Sequence, residues 1–247
     1  MNFAYRHDGN SVPNGERGSA LVYILIAIAL LAALTLTFMQ PSSQQTSSQS
    51  GFRSGTELQG QIDTIRSAIQ ECRLVYPGGD VNIVIDGTNP LDEGAHRSYP
   101  IDPNSPYYST VTDGPSGDHL VRNIRCPGNP GDDVNHAKIF GGSDGKFLPP
   151  APNMFEDWQY YNSVDGIFFW TQTNKTDSFI SSSLQKLDDR FGECEADIID
   201  ASGSAKNLDS KGLLQCPSGY TCFRVRMTVN STAVYNGDTD GDEASCP

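Results

Sequence analysis

An uninterrupted apolar run, Leu21–Met39, constrains this chain more than any other feature of its sequence. The run has nineteen residues and no charge, and it follows a short hydrophilic leader that ends at Gly18. As a helix rising about 1.5 Å per residue it would measure about 28 Å, close to the hydrocarbon thickness of a bilayer. A buried helix of a soluble domain rarely stays apolar over this length. The sequence therefore predicts a cytoplasmic leader at 1–18 and a transmembrane helix at 19–39.

A cleaved secretory signal is the alternative interpretation of this run. The apolar region of such a signal is usually about 7–15 residues long and ends at a small-x-small cleavage site. Here the run is longer and ends Phe38-Met39-Gln40-Pro41, which is not such a site. A retained span is the better prediction.

The body that follows the span is predicted to lie outside the cytoplasm. Arg6 and Arg17 precede the apolar run, and basic residues favour the cytoplasmic side of a span. An even number of widely spaced cysteines is typical of disulfides in an oxidising compartment, and the chain lacks the C-x-x-C pairs of a zinc site. All six cysteines follow the span: Cys72, Cys126, Cys194, Cys216, Cys222 and Cys246.

Six cysteines allow fifteen pairings, so their connectivity does not follow from the sequence alone. Cys216 and Cys222 are close together in the chain and lie just before a predicted strand, which favours a bond between them. For the other four we predict the pairs Cys72–Cys126 and Cys194–Cys246.

The junction between leader and apolar run resembles the prepilin signal of type IV pilins and type II secretion pseudopilins. The similarity lies in Arg17-Gly18 directly before an uninterrupted apolar helix. In that family a dedicated peptidase cuts after the glycine, so the resemblance implies cleavage between Gly18 and Ser19. It also implies that the apolar helix holds the subunit in the membrane before assembly and lines the filament core afterwards.

Two positions depart from the family pattern. The first residue after the cut is Ser19 rather than Phe or Met, and the fifth is Tyr23 rather than Glu. In the family the buried glutamate pairs with the amino terminus of a neighbouring subunit, because a charge in an apolar core needs a partner. A chain without it is expected to be a minor or atypical subunit rather than the bulk filament protein.

Beyond the span, residues 40–54 are rich in Ser and Gln and are predicted to form a flexible linker or a melted segment of helix. Residues 55–247 are predicted to form one extracytoplasmic domain. Its first element is an amphipathic helix that Pro77-Gly78-Gly79 ends. The helical stripe consists of Leu58, Ile62, Ile65, Ile69, Cys72 and Tyr76, and we expect it to pack on a sheet of the same domain.

Further elements complete an α+β prediction. Thr176 or Asp177 should cap a second helix, whose apolar stripe is Ile180, Leu184, Leu187, Phe191, Cys194 and Ile198. Alternation over Phe223–Val229 predicts a half-buried strand with its apolar side inward and its polar side in solvent. The aromatic residues Trp158, Tyr160, Tyr161 and Trp170 are predicted to pack in the core rather than to bind sugars or peptides. The fold class is therefore α+β, with helices packed on a small antiparallel sheet, long loops and disulfides.

The sequence offers little for catalysis. It has no P-loop, no dinucleotide fingerprint and no H-E-x-x-H motif. Ser116 lies near His119, but its Gly-Pro-Ser-Gly turn lacks the spacing of a nucleophile elbow. We therefore predict a protein that is not an enzyme and has no resident cofactor, apart from the calcium considered next. The net charge of −13 also disfavours binding to nucleic acid.

The acidic C-terminus is the one candidate metal site. Asp238, Asp240 and Asp242 stand at alternate positions, and carboxylate oxygens are the ligands that calcium prefers. The EF-hand spacing is absent, because Gly241 comes too early and the chain ends before a twelfth-position Glu. Both a calcium loop and an acidic, solvated tail therefore stay open.

The expectation is a structural pilin-like or pseudopilin-like subunit of a type IV pilus or type II secretion-type filament. Its partners would be the membrane, other pilin-like subunits and an assembly platform. It would reside in the bacterial inner membrane as a single-pass protein, with its C-terminal domain periplasmic or extracellular, and could enter a surface filament. The alternative is a signal-anchored envelope binding or adhesion protein that does not polymerise.

Overall fold

The computed structural model describes residues 17–38, 43–79, 97–105, 118–127, 136–142, 145–163, 166–192, 195–209 and 212–229. The chain divides into two compact units, Met1–Ser47 and Ser48–Pro247. The helices of the described residues include α1 (Arg17–Phe38), α2 (Ser43–Val75) and α3 (Ser178–Asp188). The strands are β1 (Gln159–Ser163), β2 (Gly166–Thr173), β3 (Ala196–Asp200), β4 (Lys206–Asn207), β5 (Gln215–Cys216) and β6 (Thr221–Val229).

Helix α1 presents apolar side chains on all sides. Its side chains are described at positions 20–35, and all of them are exposed. The hydroxyl of Thr35 donates back to the carbonyls of Leu31 and Ala32, at 2.9 Å each. Within the part of the chain that the structure describes, no helix combines the length and the apolar character needed to cross a membrane. The predicted span, 19–39, extends past the described side chains at both ends and stays a prediction.

The second unit is built on a four-stranded antiparallel sheet in the order β1-β2-β6-β3. Strand β2 pairs with β1 and β6, and β6 pairs with β3 on its other side. Strands β4 and β5 form a separate two-stranded ribbon. A mixed helix-and-sheet fold with a small antiparallel sheet is thereby confirmed.

One face of this sheet, which we call the helical face, packs against α2 and α3. The predicted stripe of α2 is buried there from Leu58 to Cys72, while Tyr76 is only half-buried beyond the end of the helix. It meets Phe169 of β2 and Phe223 of β6 in one apolar cluster. The prediction that the stripe packs on the sheet of its own domain is confirmed.

The opposite face, which we call the cystine face, is also buried. It carries Tyr161 of β1, Phe168 and Trp170 of β2, and Ile199 of β3 in a second apolar cluster. Cys222 of β6 belongs to the same cluster, and Leu208, Leu214 and Cys216 pack on it from the β4–β5 ribbon and its connections. The aromatic set of Trp158, Tyr160, Tyr161 and Trp170 is thus buried in the two clusters, as predicted.

The predicted linker at 40–54 is wrong in its local structure, because α2 begins at Ser43. Tertiary contacts override the weak helix preference of this Ser- and Gln-rich stretch. Gly51 and Ser54 are buried, and the hydroxyl of Ser183 in α3 donates to the Gly51 carbonyl at 2.7 Å. Small side chains let the two helices approach at this point.

The second predicted helix is correct at its start and wrong at its end. Asp177 occupies the N-cap position of α3 but makes no side-chain cap hydrogen bond, and the helix stops at Asp188. Ile198 lies in β3, where it pairs with Phe223 of β6. Pairing with β6 satisfies the backbone groups of this stretch and buries Ile199, which the helical pattern did not anticipate.

Candidate functional site

The predicted cleavage site lies in the first turn of α1. The helix begins at Arg17, so Gly18 and Ser19 both have helical backbone. Their side chains are outside those that the structure describes, and cleavage between them stays a prediction.

Two of the three predicted disulfides are present. Cys72 of α2 is bonded to Cys126, with their Cα atoms 5.5 Å apart. Cys216 of β5 is bonded to Cys222 of β6, with a Cα–Cα distance of 5.9 Å. The first bond lies at the helical face and the second within the cystine face. The third predicted pair, Cys194–Cys246, lies outside the described residues.

The calcium candidates Asp238, Asp240 and Asp242 also lie outside the described residues. Among those described, no group of three or more His, Cys, Asp or Glu side chains is arranged to hold a metal ion.

A compact polar cluster surrounds His119, beside the first strand of the sheet. Its Nδ1 lies 3.0 and 3.1 Å from the two carboxylate oxygens of Asp102. Its Nε2 lies 3.2 Å from Nδ2 of Asn104. The imidazole is 14 % exposed and the Asp102 side chain 6 %. The ring centroid of His119 lies 5.9 Å from that of Tyr161.

The backbone holds this imidazole in place. The amide of Tyr160 in β1 donates to the His119 carbonyl at 2.6 Å, and Leu120 forms an isolated antiparallel bridge with Gln159. Burial lowers the pKa of His119, but the hydrogen bond and charge of Asp102, with the charge of Asp118 and a backbone hydrogen bond to Tyr160, outweigh it, so the pKa is raised above the usual value.

A histidine beside an aspartate suggests a catalytic dyad, but the geometry does not support one here. A general base must present a free ring nitrogen to a nucleophile. Both nitrogens of His119 are engaged, one by Asp102 and the other by Asn104. Ser116, which the sequence places close before His119, lies outside the described residues.

An ion cluster is buried in the cystine face. Nε and Nη2 of Arg224 approach Oδ2 of Asp197 at 2.8 and 2.6 Å, and Nη2 of Arg226 approaches the same oxygen at 3.0 Å. Nη1 of Arg224 also donates to the Leu208 carbonyl at 2.6 Å. The side chains of Asp197 and Arg224 are completely buried and that of Arg226 is 4 % exposed.

This cluster corrects the prediction for the strand at Phe223–Val229. Phe223 and Val225 are buried on the helical face, as predicted. The polar side was predicted to face solvent, yet it carries the buried Arg224 and Arg226. Sequence reasoning missed the cluster, although one signal was available: Asp197 interrupts the apolar stretch Ala196–Ile199. A charge in such a stretch needs a partner of opposite sign, and Arg224 faces Asp197 across the strand pair.

The chain matches no protein-family model, no curated protein and no solved structure.

Proposed function

We propose that this chain is a structural, pilin-like subunit, anchored in the bacterial inner membrane by its predicted apolar span, residues 19–39, and carrying its disulfide-bonded domain on the outer side. It is a minor or atypical subunit of a type IV pilus or type II secretion-type filament, and it has no enzymatic activity. Its partners are the lipid bilayer, other pilin-like subunits and an assembly platform.

The all-round apolar surface of α1 carries this proposal. A helix that packs on one face of a domain needs an apolar stripe only on that side. The side chains described at 20–35 are instead exposed in every direction, including Leu25 at 58 % and Leu31 at 66 %. Such a surface is favourable in hydrocarbon or in a bundle of similar helices, and unfavourable in water.

The second unit supports the same proposal through its long α2 helix and its disulfides. The helix lays one apolar stripe on an antiparallel sheet, which is the arrangement that the resemblance to pilins implies. Two disulfides suit an oxidising compartment beyond the membrane.

Processing of the amino terminus tests the proposal. The full chain is expressed in a bacterium that has a prepilin peptidase and in the same strain without it, and the protein extracted from membranes is analysed by intact mass spectrometry. We expect a mature chain that starts at Ser19 in the first strain and an unprocessed chain in the second. Gly18→Ala should retain the leader, whereas Gly15→Ala, a matched change within the leader, should be processed normally.

Other results would point elsewhere. An amino terminus at Met1 in both strains would favour the non-polymerising envelope binding protein. A cut beyond residue 39 would indicate a secretory signal. Recovery of the intact chain free in the cytosol, with reduced thiols, would overturn both readings.

A further inference from the structure

We propose that His119, Asp102 and Asn104 form a proton-operated clasp that holds the segment 97–105 against the edge of the sheet and tightens when His119 is protonated. The clasp is a property of the second unit. It does not depend on whether the chain is anchored in a membrane or enters a filament.

Hydrogen bonds and the buried side chains of Tyr99 and Ile101 attach the segment 97–105 to the rest of the unit. The phenol of Tyr160 and the amide of Asn162 both donate to the Pro100 carbonyl at 2.9 Å. The amide of Ile101 donates to the carbonyl of Arg125 at 2.7 Å. The contact of Asp102 with His119 adds an attachment whose strength a proton can change.

Neutral His119 can satisfy both neighbours in only one tautomer. A carboxylate can only accept, so Nδ1 must carry the proton and donate it to Asp102. Nε2 is then an acceptor, and it receives an N–H from the Nδ2 amide of Asn104 at 3.2 Å. In this form the bond to Asp102 joins a neutral donor to a charged acceptor.

Protonation changes both contacts at once. The Asp102 contact becomes an ion pair in a largely buried place, where such hydrogen bonds are strongest. Nε2–H can no longer accept from Asn104, so the Asn104 amide must turn over and present Oδ1 instead. The same side chains therefore support two discrete arrangements, one for each protonation state.

The surroundings of the imidazole favour the charged form. From its own segment it faces Asp118, and from the segment 97–105 it faces Asp102 and the neutral amide of Asn104. From the sheet it meets the rings of Tyr161 and Trp170, and it makes a hydrogen bond to the backbone of Tyr160. The charged groups that act on it among the described residues are both carboxylates, which agrees with its raised pKa.

The sign of the pH dependence follows from the raised pKa. Protonated His119 stabilises the folded protein. This stabilisation is fully present below the pKa of an unfolded histidine, about 6.5, and is lost as the pH rises through the higher pKa of His119 in the folded protein. For each unit by which closing of the clasp raises the pKa of His119 above its value in the open clasp, protonation favours closing about tenfold.

Nuclear magnetic resonance of the full chain in detergent micelles, with labelled histidine, tests the clasp. The His119 signals are identified by their loss in His119→Gln. We expect a titration midpoint above that of an ordinary histidine and, in the neutral form, a proton on Nδ1. Amide exchange at Ile101, Asn104 and Ser105, corrected for intrinsic rates, should be slower at about pH 5 than at about pH 8.

Two variants move the midpoint in opposite directions. Asp102→Asn removes the partner charge, so the midpoint should fall and the pH dependence of exchange should disappear. Asn104→Asp offers Nε2–H a permanent acceptor, so the midpoint should rise. Asp157→Asn makes the same chemical change in the exposed pair with Arg122 and should leave His119 unaffected.

The proposal is overturned if the neutral form of His119 carries its proton on Nε2, or if its midpoint is the same in Asp102→Asn as in the wild type. It is also overturned if exchange in 97–105 does not depend on the protonation of His119. If Asp102→Asn does not fold, the tautomer and midpoint of the wild-type chain decide the question.

Discussion

The two faces of the sheet both bury aromatic residues, but only one of them also buries charged side chains. The helical face is closed by α2 and α3, with Ile65, Phe169 and Phe223 in one apolar cluster. The cystine face is closed by the β4–β5 ribbon and holds Asp197 and Arg224 among its aromatic side chains. Apolar packing is forgiving, because neighbours can shift to fill space, whereas a buried charge depends on its own partner.

The difference teaches where this domain is most vulnerable. On the cystine face a single carboxylate oxygen serves two guanidinium groups, while the ring of Phe168 lies 5.6 Å from the Arg224 guanidinium carbon. Loss of that carboxylate would leave the same positive charges in the same apolar surroundings. On the helical face the loss of one methyl group would leave a small gap.

Asp197→Ala is expected to have the largest effect of the changes considered. Breaking a buried pair by removing one partner costs about 3–5 kcal/mol, because the other charge stays buried. Urea unfolding of the full chain in detergent micelles measures this loss through the fluorescence of Trp158 and Trp170, the chain's two tryptophans, which are both buried.

The matched control for that variant is Asp200→Ala, on the same strand but exposed. A loss below about 1 kcal/mol is expected there, since exposed charges contribute little. Equal losses at the two positions would show that burial of the cluster does not set the cost.

The disulfides give a second comparison between the faces. The bond Cys72–Cys126 closes a loop with a sequence separation of 54, and Cys216–Cys222 one of 6. In the chain-entropy account, replacing both cysteines by Ala should cost about 4 kcal/mol for the first pair and about 2 kcal/mol for the second. Urea unfolding under oxidising conditions measures both losses. In a reducing buffer the wild type also lacks its disulfides, so it should lose this advantage over both variants. A larger loss for the Cys216–Cys222 pair would contradict the loop-length explanation.

The smallest expected effect compares two glycines of α2. A Cβ at Gly55 would lie 2.8 Å from the hydroxyl oxygen of Ser183, whereas a Cβ at Gly60 meets nothing within 4 Å. Gly55→Ala should therefore destabilise the domain by about 1 kcal/mol, because the Ser183 hydroxyl must move and give up its hydrogen bond to the Gly51 carbonyl. Gly60→Ala should stabilise it by about 0.5–1 kcal/mol, because alanine favours the helix. Thermal unfolding should show a lower melting temperature for Gly55→Ala and a higher one for Gly60→Ala. A higher melting temperature for both would mean that the α2–α3 contact accommodates the added methyl group without cost.

The spacing of apolar residues in the sequence was sufficient to predict which residues of α2 and β6 are buried on the helical face. The stripe from Leu58 to Cys72 and the strand at Phe223 each repeat with the period of their structure, so their buried side follows from spacing. The end of α3 did not follow, because Ile198 fits the helical spacing as well as it fits a strand. Only its pairing with Phe223 decided between the two.

The polar centres were less accessible to sequence reasoning. His119 and Asp102 are seventeen residues apart, neither lies in a helix or a strand, and no spacing rule brings them together. Asp197 and Arg224 are separated by 27 positions and meet only because β3 and β6 become neighbours in the sheet.

The amino-acid sequence by itself determined the apolar character of α1, the buried stripe of α2 and the alternation of β6, because these depend on residues that are near each other in the chain. Only the tertiary structure decided that α2 begins at Ser43, that the second face of the sheet is covered and that Arg224 is buried. The reason is physical: burial and charge pairing are set by which distant segments meet, and that is a property of the folded chain rather than of any one segment.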